Sequence, residues 1–160
     1  MRGAGLLLAI AASVSALPLP AAETVVSKEA NMSDQARGAF DVKIVPISGK
    51  EEALGRLSID KVYHGDLDAT GTGQMMASRD EKTGTGVYVA IETVTGTLKG
   101  RKGSFLLAHR GMMSAAGQDL NIVIVPASGT GALAGIAGDL EIIIEGGKHS
   151  YVLRYTLPAG

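Results

Sequence analysis

Short apolar runs recur along the chain from Gly38 onward, and glycine-rich turns separate each run from the next. β-Branched residues fill these runs, as in Thr93-Val94-Thr95 and Ile142-Ile143-Ile144, and such residues favour strands over helices. No segment spaces its apolar residues at a helical period for more than about two turns. The pattern predicts an all-β domain with the strands FDVKIVPI, LGRLSIDKVYHG, LDATGTGQMMAS, GVYVAIETVTGTL, GSFLLAHRGMM, LNIVIVPA, DLEIIIE and HSYVLRYTL.

Glycine-centred turns join neighbouring runs and set the topology. Gly146-Gly147 separates the last two runs, and the Gly100–Gly103 segment separates the fourth from the fifth. Short turns of this kind imply antiparallel pairing between consecutive strands. About eight strands around one core favour closure into a barrel, because closure removes unpaired edges. We therefore predict a single closed antiparallel eight-stranded up-and-down barrel over residues 36–157.

Several blocks of this sequence, in this order, carry a family resemblance. The chain resembles a bacterial domain family of unknown function that is similar in fold to plant allene oxide cyclase, an eight-stranded barrel. The resemblance covers about Ala36 to Leu157; it implies the barrel and implies no established activity. No motif here aligns position by position with the catalytic residues of the cyclase. The matching blocks are Asp60-Lys61, His64-Gly65-Asp66-Leu67, Tyr88-Val89-Ala90-Ile91-Glu92, Gly96-Thr97-Leu98, Gly100-Arg101, Gly103-Ser104-Phe105, His109 and Ser128-Gly129-Thr130-Gly131.

The N-terminal segment has the features of an export signal. Met1-Arg2 forms a minimal positive region, and Leu6–Ser15 forms an apolar run of roughly ten residues before small residues. That run is too short to cross a membrane, which needs about 20 apolar residues. We predict a signal peptide within residues 1–22, cleaved after residue 16 or 22, a flexible lead-in over 23–35, and a periplasmic or secreted protein.

Composition excludes several classes of protein. The 15 Lys+Arg residues balance 16 Asp+Glu residues, so no basic field exists to attract a nucleic acid. The absence of cysteine excludes disulfides, thiol nucleophiles and iron–sulfur clusters. No phosphate-binding glycine loop or serine-hydrolase elbow occurs, and we expect no cofactor. No metal is expected either, although His64 with Asp66 and Asp68 is the alternative for a metal at a barrel rim.

Alternation along the strands identifies side chains that enter the lumen. His109 shares a face with Phe105 and Leu107, and Tyr151 and Tyr155 share a face with Leu153. The run Val87–Leu98 is ambiguous: either Val87, Val89 and Ile91 point inward, or Tyr88, Ala90 and Glu92 do, and the resemblance favours the second choice. The candidate catalytic residues are Glu92 and His109, and the candidate ligand-binding residues are Tyr63, Tyr88, Glu92, His109, Tyr151 and Tyr155.

A carboxylate and an imidazole in an apolar lumen form a plausible acid/base pair. Burial raises the pKa of a carboxyl and lowers that of an imidazole, which moves both toward neutrality. The alternative is that Glu92 and His109 pair with each other or with tyrosine hydroxyls and so only satisfy buried polar groups. Lys61 is expected at the surface, with a lumen cation or Schiff-base amine as the alternative, and His149 is expected at a solvated rim.

The turn between the fourth and fifth strands predicts which residues face each other. A centre between Arg101 and Lys102 places Val94 opposite His109, with Glu92 as a diagonal neighbour of the histidine. We expect this pair to lie within reach of at least one of Tyr88, Tyr151 and Tyr155.

Three functions remain open at this level. The first is a binding module that holds a small, largely apolar ligand in the lumen. The second is an isomerase or cyclase acting on a small hydrophobic substrate in the same lumen, and the third is a structural envelope protein with a filled core. Whether the protein is an enzyme, and whether it forms a homo-oligomer, stay open.

Export gives the first testable prediction. Protein recovered from its own host is expected to begin at residue 17 or 23, because a signal peptide is removed after translocation. Intact-mass measurement or N-terminal sequencing reads this directly. A chain that still begins at Met1 contradicts the prediction.

Overall fold

The computed structural model describes residues 33–49 and 54–158 of the chain. Eight strands form one closed antiparallel barrel, and each strand pairs with its neighbours in sequence. The predicted fold class is therefore confirmed, and all eight predicted runs correspond to strands. The strands are β1 (Asp34–Pro46), β2 (Gly55–Tyr63), β3 (Leu67–Arg79), β4 (Gly86–Leu98), β5 (Arg101–Ser114), β6 (Gly117–Ile124), β7 (Ala137–Glu145) and β8 (Lys148–Thr156).

The N-terminal predictions lie largely outside the described residues, which exclude the whole signal segment 1–22 and most of the lead-in. The lead-in boundary needs one correction, because β1 already begins at Asp34. Asp34 pairs with Tyr155 of β8 and Gln35 with Arg154, so both residues belong to the barrel. The polar side chains at these positions do not show the alternation of a strand, but their backbone is paired with β8. Among the described residues no helix is long and apolar enough to span a membrane.

The two predicted glycine turns have different outcomes. Gly146 and Gly147 both have positive φ angles between the paired residues Glu145 and Lys148, as predicted. The β4–β5 turn, however, is centred on Lys99 and Gly100, with φ angles of 45° and 82°, and Leu98 pairs with Arg101. The prediction of a Gly100–Gly103 turn was wrong because Lys99 adopts the left-handed conformation that glycine usually supplies.

One half of the lumen is a filled hydrophobic core. The connection between β6 and β7 closes this end with a single 3-10 turn, Gly131–Leu133, whose Leu133 is buried with Ile136. Ser128 and Thr130 accept backbone N–H groups of β5 through their hydroxyl oxygens, at 3.0 Å in each case. The core residues are Ala36, Phe40, Tyr63, Leu67, Ala69, Val94, Leu98, Phe105, Leu107, Ile122, Ile124, Leu133, Ile136, Leu140, Tyr151, Leu153 and Tyr155.

The junction of β6 and β7 is the weakest in the barrel. Val123 and Asp139 are the only paired residues across it within the described chain, whereas every other junction has a ladder of at least six pairs. A groove of about 510 Å³ follows this seam on the outside. Leu120 and Ile142 border both this groove and the lumen.

The ambiguity in β4 is resolved toward the second alternative. Glu92 is fully buried, and Ala90 is buried with it. Val89 and Ile91 lie on the outer wall instead, with exposed fractions of 53% and 54%, and Val87, 45% exposed at the start of the strand, borders the open end of the lumen. Apolar residues therefore face solvent while a carboxylate faces the lumen, which is the reverse of the usual preference.

Close strand packing at glycine predicts a stability difference between two substitutions. A Cβ atom added to Gly96 would lie 2.3 Å from the Asp68 carbonyl oxygen and 2.5 Å from the Ala69 Cα, so Gly96→Ala should destabilise the barrel by about 1–3 kcal/mol. Gly55→Ala, whose added Cβ would lie 3.5 Å from its nearest neighbour, should lose nothing. Urea unfolding of both variants measures the difference, and equal free energies of unfolding contradict it.

Candidate functional site

The other half of the lumen contains a cavity of about 310 Å³. It lies toward the barrel end that carries the β1–β2, β3–β4, β5–β6 and β7–β8 connections. A larger groove of about 860 Å³ lies beside the β3–β4 and β5–β6 turns, and mostly exposed residues of these turns and of the adjoining strand ends line it. The lumen cavity is lined by Phe40, Val42, Ile44, Ile59, Lys61, Met75, Ala77, Ser78, Arg79, Val87, Tyr88, His109, Met113, Gln118, Leu120, Ile142, Ile144 and His149.

Three charged or titratable side chains from three strands meet at the floor of this cavity. Lys61 is on β2, Glu92 on β4 and His109 on β5, and all three are buried. Strand β3 lies between the first two residues, and its glycines allow them to meet. A Cβ atom on Gly71 would lie 2.0 Å from Glu92 Oε1, so only glycine leaves room for the carboxylate there.

The Glu92 carboxylate is the centre of a buried network. Lys61 Nζ lies 2.7 Å from Oε2 and forms an ion pair with it. The Tyr63 hydroxyl donates a hydrogen bond to Oε1 at 2.8 Å and accepts one from Lys61 Nζ at 3.2 Å. Lys61 Nζ also lies 5.1 Å from the centre of the Phe40 ring, where the ring face attracts a cation. Both carboxylate oxygens therefore have partners, as a buried charge requires.

His109 lies next to this network but forms no hydrogen bond with it through Nε2. Its Nε2 lies 3.1 Å from Glu92 Oε2, and its side chain is 3% exposed. Nε2 forms no hydrogen bond within the described residues, so its contact with that oxygen is electrostatic. A buried polar atom without a partner is costly and indicates strain or an absent partner.

The electrostatics differ from the expectation for a buried carboxyl. Burial alone raises the pKa of Glu92, but the adjacent His109 imidazole, the Lys61 ammonium and the Tyr63 hydroxyl together hold it below its ordinary value. The expectation of a raised carboxyl pKa was therefore wrong, because it left out the buried cation. Burial and the Glu92 charge raise the pKa of Tyr63, so its hydroxyl stays protonated and acts as a donor.

The predicted tyrosines lie in different parts of the lumen. Tyr63 belongs to the network, and Tyr88 lines the cavity, where its ring covers Gly111. Burial raises the pKa of Tyr88. Tyr151 accepts the Leu67 N–H at 2.9 Å and so anchors the β2–β3 turn, while Tyr155 packs in the filled half. Neither of these last two residues lines the cavity.

The predicted contact of the pair was only partly right. Glu92 and His109 do lie together, yet the hydroxyl bonded to Glu92 is that of Tyr63 rather than Tyr88, Tyr151 or Tyr155. The register is also different, since His109 pairs with Ala90, not Val94, and Glu92 pairs with Leu107. Glu92 is still a diagonal neighbour of His109. It lies two residues beyond the true partner Ala90 on the side of the β4–β5 turn, whereas the prediction placed it two residues from Val94 on the side away from that turn.

Lys61 is the site residue that the sequence analysis placed wrongly. It is 6% exposed rather than at the surface, because the Glu92 carboxylate and the ring of Phe40 replace the water around its ammonium. The signal available was alternation, since Lys61 shares a strand face with Ile59 and Tyr63. His149 likewise lies half-buried at the cavity wall against Phe40, at 5.2 Å between ring centres, rather than at a solvated rim.

The alternative metal residues are used elsewhere. His64 Nε2 lies 3.0 Å from Asp41 Oδ2 at the surface, and Asp66 accepts the backbone N–H of Arg37. Within the described ranges, no group of three or more His, Asp or Glu side chains is arranged to hold a metal ion.

The buried ion pair predicts a large effect of neutralising one partner. Glu92→Gln leaves the Lys61 ammonium buried without a counter-charge and should destabilise the protein by about 3–5 kcal/mol. The double variant Lys61→Met/Glu92→Gln removes both charges and should recover most of that loss. Chemical denaturation of the wild type and both variants at neutral pH measures this, and equal destabilisation of the single and double variants contradicts it.

The pH dependence of the free energy of unfolding of the same proteins tests the direction of the Glu92 pKa shift. The folded-state pKa of Glu92 lies below its ordinary value of 4.5, so its contribution to stability is complete above that value. The contribution is lost as the pH falls through the folded-state pKa. The double variant should therefore lose less stability than the wild type on acidification below about pH 4.5.

Comparison with known proteins identifies the family. The family model described as "Protein of unknown function (DUF3224)" matches residues 36–155. The crystal structure of a DUF3224 protein of unknown function from Shewanella oneidensis MR-1 is similar, with 38% sequence identity and a TM-score of 0.74. The similarity covers 79% of this chain and 99% of that one. The comparison with curated proteins gives no significant match. This chain, a closed barrel with a buried Lys–Glu–His floor, belongs to the DUF3224 family.

Proposed function

We propose that this protein binds a small, largely apolar molecule in the lumen cavity, with the polar end of the ligand at the Lys61–Glu92–His109 floor. The observation that carries the proposal is a charge-paired cluster at the bottom of a mostly apolar cavity. Binding sites for small molecules commonly combine apolar walls with a few fixed polar groups. The volume of about 310 Å³ lies near the lower limit of such sites.

The space in the cavity comes from the choice of inward-facing residues. Side chains can fill an eight-stranded barrel completely, and large residues do so in the lower half. In the upper half, the inward position Ala77 on β3 lines the cavity, whereas the space beside Gly111 on β5 is taken by the ring of Tyr88. The inward residues of this half leave a cavity of about 310 Å³, which argues against the alternative of a purely structural protein with a filled core.

The buried Lys61–Glu92 ion pair also supports a role in ligand binding. Removing two charges from water costs several kcal/mol per ion, and apolar residues of similar volume are often equally stable or better. A barrel selected for stability alone would have an apolar floor. The Lys61–Glu92 pair is positioned where a ligand would contact it, since Lys61 and His109 line the cavity directly.

A second candidate is an isomerase or cyclase acting in the same lumen. The observation that favours it is the unpaired His109 Nε2 beside a carboxylate whose pKa is held low, because such a pair can exchange a proton with a bound substrate. The resemblance to allene oxide cyclase adds only an analogy of fold. Binding without chemical change to the ligand supports the first candidate, and conversion of the ligand supports the second.

Location and assembly stay predictions. Export to the periplasm or the medium rests on the N-terminal sequence, which lies outside the described residues. A homo-oligomer is an open alternative, and the apolar outer wall around Val89 and Ile91 is the surface that would pair in it.

A cavity-filling substitution tests the proposed function. Ala77→Phe places a phenyl group in the cavity and should weaken binding of the neutral fluorescent probe N-phenyl-1-naphthylamine by at least about tenfold, because the space it needs is occupied. Met76→Phe is the matched control, since Met76 is the next residue on the same strand and faces outward with 46% exposure. Fluorescence titration measures both affinities.

Circular dichroism and thermal unfolding establish that both variants are folded. Equal probe affinity for the two variants and the wild type would place the binding site outside the lumen. Native mass spectrometry of protein purified from its host then serves to identify a bound small molecule.

A further inference from the structure

The cavity floor has hydrogen-bonding capacity that the protein itself does not use. The Lys61 ammonium carries three protons, and two of them are directed to Glu92 Oε2 and the Tyr63 hydroxyl. No partner for the third proton lies within the described residues, and Lys61 lines the cavity. His109 Nε2, which also faces the cavity floor, is likewise without a partner there.

These two nitrogens are close enough to bind one atom. Lys61 Nζ and His109 Nε2 lie 2.7 Å and 3.1 Å from the same oxygen, Glu92 Oε2. Their separation therefore cannot exceed the sum of those distances. Two hydrogen bonds of ordinary length, about 2.9 Å each, span such a separation when they meet at one acceptor. A ligand oxygen placed between the two nitrogens accepts both hydrogen bonds when the proton of the His109 ring is on Nε2.

The charge at the cavity floor determines whether the ligand oxygen belongs to a charged or a neutral group. The Lys61 ammonium and the Glu92 carboxylate cancel each other's charge, so the ion pair presents no net charge to a ligand. A ligand carboxylate would place a second negative charge beside Glu92 in an apolar cavity, which is unfavourable. A carbonyl oxygen accepts two hydrogen bonds, carries no net charge and needs no donor in return.

We propose that the ligand carries a neutral carbonyl group, as in a ketone, aldehyde or ester, whose oxygen accepts hydrogen bonds from Lys61 Nζ and His109 Nε2. This inference rests on the proposed binding function and names the chemical class of its ligand. The body of the ligand is apolar and small, because the walls include Ile59, Met75 and Met113. The cavity holds the volume of about ten water molecules.

Three probes of nearly equal size separate the possibilities. Acetophenone carries the carbonyl group, cumene replaces it with an apolar group of similar size, and benzoate replaces it with a carboxylate. Competition with N-phenyl-1-naphthylamine at pH 7 gives the three affinities for the full chain. Acetophenone is expected to bind about tenfold or more tightly than cumene, as one to two hydrogen bonds to charged or polar donors supply. Benzoate is expected to bind most weakly.

A spectroscopic measurement reports the hydrogen bonds themselves. The carbonyl ¹³C resonance of labelled acetophenone should move downfield on binding to the wild-type protein. In Lys61→Met/Glu92→Gln, which keeps the charge balanced, and in His109→Phe, this shift should decrease. The preference of both variants for acetophenone over cumene, taken as the ratio of the two affinities within each variant, should fall toward unity.

The outcomes distinguish the two levels of the proposal. Equal binding of acetophenone and cumene by the wild type overturns the carbonyl inference but leaves the lumen site intact. Tightest binding of benzoate overturns it in favour of an acid ligand. Failure of all three probes to displace the fluorescent compound, together with an unchanged affinity in Ala77→Phe, overturns the binding function itself.

Discussion

The buried Glu92 carboxylate is the constraint on which the upper half of the barrel depends. A negative charge in the lumen needs a cation and hydrogen-bond donors, and Lys61 and Tyr63 supply both from β2. The two strands are not neighbours, so β3 between them must carry glycine at Gly71 to let the side chains meet. One buried charge on β4 thus determines residues on two other strands.

The two halves of the lumen have opposite physical roles. The lower half buries large apolar side chains and the turn containing Leu133, and it supplies the hydrophobic stabilisation of the domain. The upper half contains small residues, a charge pair and an unsatisfied histidine nitrogen, none of which adds hydrophobic stabilisation. A stable lower half makes it possible to maintain a polar, partly empty site in so small a barrel.

The sequence predicted the fold more completely than the site, for identifiable reasons. Alternation and glycine turns report local backbone geometry, so the eight strands and the Gly146-Gly147 turn were correct. The β4–β5 register was wrong because Lys99 takes a conformation that its residue type disfavours. Glu92 and His109 were placed inward by alternation and resemblance, but Lys61 was not. A lysine enters a core only when a distant strand supplies its counter-charge, and that pairing is a tertiary property.

The loose pairing of β6 with β7 affects whether strands of other molecules can add to the barrel at this junction. With one aligned pair between them, these strands retain unpaired backbone groups of the kind that recruit strands from neighbouring molecules. Arg154 on β8 forms ion pairs with Asp139 and Glu141 on β7, so hydrated charges line the outside of the gap. An intruding strand would have to displace those ions and their water. The barrel can therefore keep a loose junction, able to widen without breaking a ladder, and still resist aggregation along that edge.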